Sequence, residues 1–210
     1  MGHVLTLAQQ KGGAGKTTLA VNLACAAREA GLSVALLDTD PQGSLGRWFM
    51  ARRERLEAPG FDFATASAWG VSYECEKLRK VHDLVVVDTP PKVDADLRPA
   101  LREASLVLVP VAVSHLDLWA VESVLDLTRR EGRPARIVLN RAAPRARLTD
   151  RVERAVAELD AGRANTIVRN RVIYAEALGD GSSALERKRT GPAADEVRAL
   201  WSELSGEFGG

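Results

Sequence analysis

Ten residues near the start of the chain, Gln9-Gln10-Lys11-Gly12-Gly13-Ala14-Gly15-Lys16-Thr17-Thr18, constrain its fold more than any other segment. A short apolar run, Val4-Leu5-Thr6-Leu7-Ala8, precedes them and reads as a buried strand, and Leu19-Ala20-Val21-Asn22-Leu23-Ala24 follows as the opening of a helix. Glycines let backbone N–H groups close around phosphate oxygens, and the helix N-terminus adds partial positive charge. Lys16 is placed to neutralise β- and γ-phosphates, and the Thr17 hydroxyl to ligate Mg²⁺. A ligand-free glycine turn would account for the glycines alone. It leaves unexplained the lysine and the hydroxyl that arrive with them between a strand and a helix. Lys11 is a second lysine where an ordinary phosphate loop needs only Lys16.

Strand-like runs recur at residues 34–37, 84–87, 106–111 and 136–139, each separated by a segment of helical periodicity. That alternation predicts one α/β domain spanning 1–210, with a mostly parallel twisted sheet and helices on both faces, and the loop marks it as a phosphate-loop NTPase. Helices are expected over 45–56, 93–102, 116–130 and 148–159, with further ones near 174–178 and 193–204. Residues 61–64 suit an edge strand. At 210 residues and 46% hydrophobic, the chain can bury one sizeable core and has little room for a second.

Three acids stand at strand ends. The second strand runs into Asp38-Thr39-Asp40-Pro41-Gln42-Gly43, which sends two carboxylates out of the carboxyl edge of the sheet, where the phosphates would lie. An acid there can hold Mg²⁺ through water or orient an attacking water. The alternative makes Asp38 a helix cap and Asp40-Pro41 a turn. Further on, Leu84-Val85-Val86-Val87 ends in Asp88-Thr89-Pro90-Pro91, and four apolar residues followed by aspartate form the second signature of a phosphate-loop NTPase, the acid assisting Mg²⁺.

Net charge is +1, so any nucleic-acid contact must come from a local patch. Two cysteines, Cys25 and Cys75, with no paired spacing, suit a reducing cytoplasm and offer no metal site. Cys25 is expected to pack on the helix after the loop. No apolar run approaches the ~20 residues of a membrane span, and no signal peptide is seen before the first strand. A cytoplasmic protein is expected.

On Lys11-Gly12-Gly13-Ala14-Gly15-Lys16-Thr17-Thr18, Asp38-Thr39-Asp40-Pro41-Gln42-Gly43 and Asp88-Thr89-Pro90-Pro91, the chain resembles the ParA/MinD family of deviant Walker-motif ATPases. The likeness extends to Leu139-Asn140-Arg141 and Val168-Arg169-Asn170-Arg171, and it is greatest to the short ParA-type partition ATPases. Ala14 departs from the valine common in the family, at a position that binds through its backbone. The resemblance implies ATP and Mg²⁺ as cofactors, slow partner-stimulated hydrolysis to ADP and phosphate, and an ATP-sandwich homodimer. In that dimer Lys11 would reach the partner subunit's nucleotide while Lys16 grips the phosphates of its own. Gly12, Gly13, Ala14, Gly15, Thr17 and Thr18 would cradle them. Thr17, Asp38 and Asp88 would serve the metal, Asp40 would position the hydrolytic water, and Asn140 would contact adenine.

Relatives differ in what the ATP-bound dimer holds. The terminal segment around Ala194–Glu207 is more acidic than basic, so a membrane-binding helix is disfavoured, and Trp201 and Leu204 are expected to pack inward. ParA-like proteins bind DNA without sequence preference, become nucleoid-associated in the ATP state, and take a ParB-like or cargo-adaptor partner. The candidates for DNA contact are Arg163, Arg169, Arg171, Arg187, Lys188, Arg189 and Arg198, each weighed against the ordinary fate of a charge run as a solvated face. A second basic stretch holds Arg129, Arg130, Arg133, Arg136, Arg141, Arg145, Arg147 and Arg151. No helix-turn-helix domain is seen before the loop. The leading expectation is plasmid or chromosome partition. The alternative is positioning of a protein cargo such as a chemoreceptor cluster or a carboxysome, with a metabolic ATP-dependent enzyme on the same fold behind both.

Overall fold

The computed structural model describes residues 1–91, 97–113, 118–143, 147–159 and 161–208, except for the side chains of residues 118 and 147–150. Five apolar strands form the centre of the sheet: β1 (His3–Leu7), β2 (Val34–Asp38), β4 (Leu84–Asp88), β5 (Leu106–Ala112) and β6 (Ala135–Asn140). β3 (Asp62–Thr65) and the two-residue β7 (Gly162–Arg163) close its edges, in the order β3-β2-β4-β1-β5-β6-β7 with parallel pairing throughout. The central runs are nearly unbroken in Val and Leu because helices cover both faces, so that neither parity of a strand meets water.

The parity of each strand chooses its layer. Leu84 and Val86 of β4 join a core with α1 (Lys16–Glu29), α2 (Ser44–Arg55) and α9 (Pro192–Ser205). α7 (Val172–Gly179) and α8 (Ala184–Arg187) pack into the same core. Val85 and Val87 point the other way, onto Val71, Cys75 and Leu78 of α3 (Gly70–Leu78). α4 (Leu97–Glu103), α5 (Leu118–Arg130) and α6 (Arg147–Ala157) continue that second layer over β5 and β6.

The expected strands and helices are found, most ends shifting by a residue or two. The proposed helix starts at 93 and 116 lie outside the described residues, as does Arg145. Edge strand β3 is present, Cys25 is buried in α1, and Trp201 and Leu204 sit in the core beneath α9. α3, α8 and β7 were not expected. α3 carries its apolar residues at 71, 75 and 78, a helical spacing diluted by charged neighbours. α8 is only four residues long and starts with a capping box in which the Ser183 side chain accepts from Glu186 N–H and the Glu186 carboxylate accepts from Ser183 N–H. β7 exists through its pairing with β6. No helix among the described residues is long and apolar enough to cross a membrane.

An ion pair between the buried Arg52 and the more exposed Glu186 joins α2 to α8. Arg52, 1% exposed, meets Glu186 through Nη2 at 2.6 Å and Nη1 at 2.9 Å. Its remaining donors reach the carbonyls of Pro59 at 2.7 Å and Gly181 at 3.0 Å. Gly181, at φ 70°, lies so close to the Arg52 backbone that a Cβ would collide with it. Burial pushes the Glu186 carboxyl up, but the hydrogen bond and charge of Arg52 outweigh it and hold the group below the usual carboxylate range. The pair therefore stabilises the fold above the ordinary glutamate pKa of about 4.3 and is lost as pH falls through the lowered value. Arg52→Ala should cost roughly 1–3 kcal/mol in denaturant unfolding at pH 7, since it takes the Arg52 donors from the Pro59 and Gly181 carbonyls. Glu186→Gln should flatten the acid limb of stability against pH.

Candidate nucleotide-binding site

The parallel register brings the site together at the carboxyl edge of the sheet. Leu7 of β1 and Asp38 of β2 both lie level with Asp88 of β4. The loop that leaves β1 therefore emerges beside two carboxylates, and Asn140 ends β6 on its other side, level with Ala112.

Gly13 and Gly15 take left-handed backbone angles, φ 79° and φ 90°, which turn the loop into the N-terminus of α1. Gly15 has a further reason to lack a side chain, because a Cβ there would collide with Asn140 Nδ2. That nitrogen donates to the Ala14 carbonyl at 2.8 Å, so Asn140 braces the loop. Gln9 braces its start, donating from Nε2 to Pro110 O at 3.2 Å. Lys16 is buried, and its Nζ donates to Gln9 O at 3.0 Å. Burial pulls its ammonium pKa down, against the raising pull of Asp88 and Asp40.

The acids differ in environment. Asp88 has no exposed surface; its Oδ2 accepts from the Thr17 hydroxyl at 2.6 Å, while its Oδ1 is buried without a partner among the described residues. Desolvation pushes its carboxyl up to about 7, against the lowering pull of the Thr17 hydrogen bond. Asp38 accepts from Asp40 N–H at 3.0 Å and, through Oδ2, from Gly46 N–H at 2.9 Å in the first turn of α2. Burial raises its pKa all the same. Asp40 is half-buried and accepts from Gln42 N–H at 2.9 Å, forming a local turn. The cap and turn geometry weighed for these two acids is thus present, and it faces the loop.

Thr39 and Thr89, each within a motif quoted from the sequence, hold the strand ends in place, a bracing role that the sequence did not suggest. Thr39 Oγ1 donates to Asp88 O at 2.9 Å and Thr89 Oγ1 to Leu7 O at 2.7 Å. A threonine directly after each strand-end aspartate was the available signal.

The basic candidates scatter. Arg169 and Arg171 line a cleft of about 470 Å³ with Thr18, Asn140, Arg141 and Tyr174, beside the loop. Arg171 is also paired with Glu196 at 2.6 Å. Arg163 is half-buried in β7, with Nη1 buried and without a partner among the described residues. Arg187 pairs with Asp180 and Glu176, and Arg198 with Glu29 at 2.8 Å. Lys188 and Arg189 are exposed. In the second stretch Arg129 pairs with Asp126 and Arg136 with Glu207, while Arg130, Arg133, Arg141 and Arg151 are exposed. Arg147 has its side chain outside the described set.

The family model of the CobQ/CobB/MinD/ParA nucleotide-binding domain matches residues 5–184. The chain belongs to this family. Among its relatives, the maintenance of carboxysome distribution protein A of Halothiobacillus neapolitanus is 31% identical over 207 residues, covering 95% of each chain. The chromosome-partitioning ATPase Soj of Thermus thermophilus is also 31% identical, over 237 residues, covering 95% of this chain and 94% of Soj. In fold the chain is similar to the septum site-determining protein MinD of Pyrococcus horikoshii, solved with Mg-ADP, at a TM-score of 0.80 and 17% identity over 100% of this chain and 98% of that one. As a member of the CobQ/CobB/MinD/ParA family, the chain carries a nucleotide-binding domain, for which the loop and the acids beside it are the candidate site. Gly15→Ala, which pushes a methyl group into Asn140, should lower nucleotide affinity at least tenfold in calorimetric titration, with the far-UV circular dichroism unchanged.

Proposed function

We propose that the protein is an ATPase that dimerises on Mg²⁺-ATP, holds DNA without sequence preference in that state, and uses the cycle to position a protein cargo. The observation that carries this reading is Lys11, standing at the head of a loop whose own phosphate lysine, Lys16, is already in place. A triphosphate held by Lys16 still carries excess negative charge. A second ammonium supplied across a water-excluded interface is worth far more there than at a surface. ATP would thus bind the paired state better than the single chain and shift association toward it. Hydrolysis removes the γ-phosphate and with it the link.

The donor set suits Mg²⁺. Asp88 Oδ1 is a buried acceptor with no partner, and the Thr17 hydroxyl lies on the other oxygen of the same carboxylate. Mg²⁺ is commonly held by one or two carboxylates together with phosphates of the nucleotide. Bound there, the ion would offset the phosphate charge. Asp38, held by two backbone N–H groups, supports the site from β2, and Asp40 stands where it could orient water.

Cargo positioning is favoured over partition by the pattern of alignment. The same 95% of the chain aligns over 207 positions with the carboxysome-distribution protein but needs 237 with Soj, so Soj carries insertions that this chain lacks. Exposed Lys188 and Arg189 are the foremost DNA candidates, and a patch too weak alone gains avidity when dimerisation doubles it. Co-sedimentation with DNA should be strong with ATP and weak with ADP or no nucleotide, and equal retention in all three would refute the switch. Lys11→Gln should keep nucleotide binding within a few-fold and lose the ATP-dependent retention.

A further inference from the structure

At the end of β6 the chain turns through Arg141, which has a φ of 53°. Only one other non-glycine residue among those described, Ala68, has a positive φ. A residue with a side chain adopts this backbone only where its surroundings enforce it. Asn140 does so here. Its Oδ1 accepts from Arg141 N–H at 2.9 Å, while its Nδ2 donates to the loop at Ala14 O. Asn140 is 4% exposed and has both ends of its amide engaged, one on the loop and one on the turn.

The turn delivers a guanidinium over the phosphate loop. Arg141 Nη1 lies 4.0 Å from where a Cβ on Gly13 would stand, and Nε lies 3.8 Å from the same point on Gly15. Arg141 is exposed, and no described residue pairs with its guanidinium. Arg171, on the same cleft, is by contrast engaged by Glu196. Lys16 and Arg141 stand at different places along the loop. Lys16 Nζ sits at the start, on Gln9 O and in the field of Asp88 and Asp40, whereas Arg141 stands where the loop opens into the cleft beside Thr18.

We propose that Arg141 holds the phosphate nearest the ribose, and that Asn140 serves chiefly to brace the loop and aim this arginine. The assignment rests on the reading of the loop as an adenine-nucleotide site. A planar fork of donors suits a phosphate oxygen pair better than the point charge of a lysine. Since ADP and ATP share that phosphate, Arg141 contributes equally to both and does not itself sense the γ-phosphate. That separates it from Lys11, whose proposed role depends on ATP.

Arg141→Gly removes the guanidinium while relieving the backbone, so the variant should fold at least as well as the parent. Arg141→Lys keeps the charge and loses the fork. Titration with ADP and ATP should show both affinities falling by the same factor, at least tenfold, in Arg141→Gly and by less in Arg141→Lys. Adenosine, measured by competition at millimolar concentration, should bind both variants as it binds the parent. Unchanged ADP affinity in Arg141→Gly, or an equal loss for adenosine, would overturn the assignment. A parent chain that binds neither ADP nor ATP would overturn the nucleotide reading itself, and this assignment with it.

Discussion

Parallel pairing of β1 and β2 with β4 sets the position of the groups that meet at the phosphate loop. Leu7 and Asp38 both lie level with Asp88, so the loop leaving β1 cannot avoid the two acids that end its neighbours. The Thr17–Asp88 hydrogen bond then ties the first turn of α1 to β4, and the threonines after the acids tie the strand ends to one another. Shifting that register by one residue would turn the apolar faces of β4 to the wrong layers and carry Asp88 away from Thr17. Core packing and site geometry are therefore enforced by the same constraint.

The site is costly to hold without its ligand. Asp88 is a fully buried carboxyl with one oxygen unpartnered, and burial drives its pKa to about 7. Arg141 occupies an unfavoured backbone region, and Lys16 is an ammonium largely withdrawn from water. Polar groups held this way are what a polyphosphate and its cation can repay, because each is pre-aimed and needs no reorganisation on binding. Stability is supplied elsewhere, in the two apolar layers and in the Arg52–Glu186 pair that fastens α2 to α8.

Much of this arrangement was legible in the sequence because the signals are local. The loop lies within ten residues, Asp38 and Asp88 each end an apolar run, and a parallel sheet places strand ends on one edge. Other features depend on distant partners and leave no local trace. Arg171, Arg187 and Arg198 read as available cations, but the fold brings Glu196, Asp180, Glu176 and Glu29 to them. Arg141 stood in the Leu139-Asn140-Arg141 motif and in a stretch of eight arginines, but its placement over the loop comes only with the turn that Asn140 holds. α8 did carry a readable mark, the Ser183–Glu186 capping box, but four residues are too few to show a helical period.

On the proposed reading, one chain holds an incomplete triphosphate site, which a second chain completes through Lys11. Sedimentation equilibrium with Mg²⁺ tests it most directly, comparing ATP under non-hydrolysing conditions with ADP. The expected result is the mass of one chain with ADP and of two with ATP, at the same protein concentration. The same mass in both nucleotides, whether of one chain or of two, would contradict it.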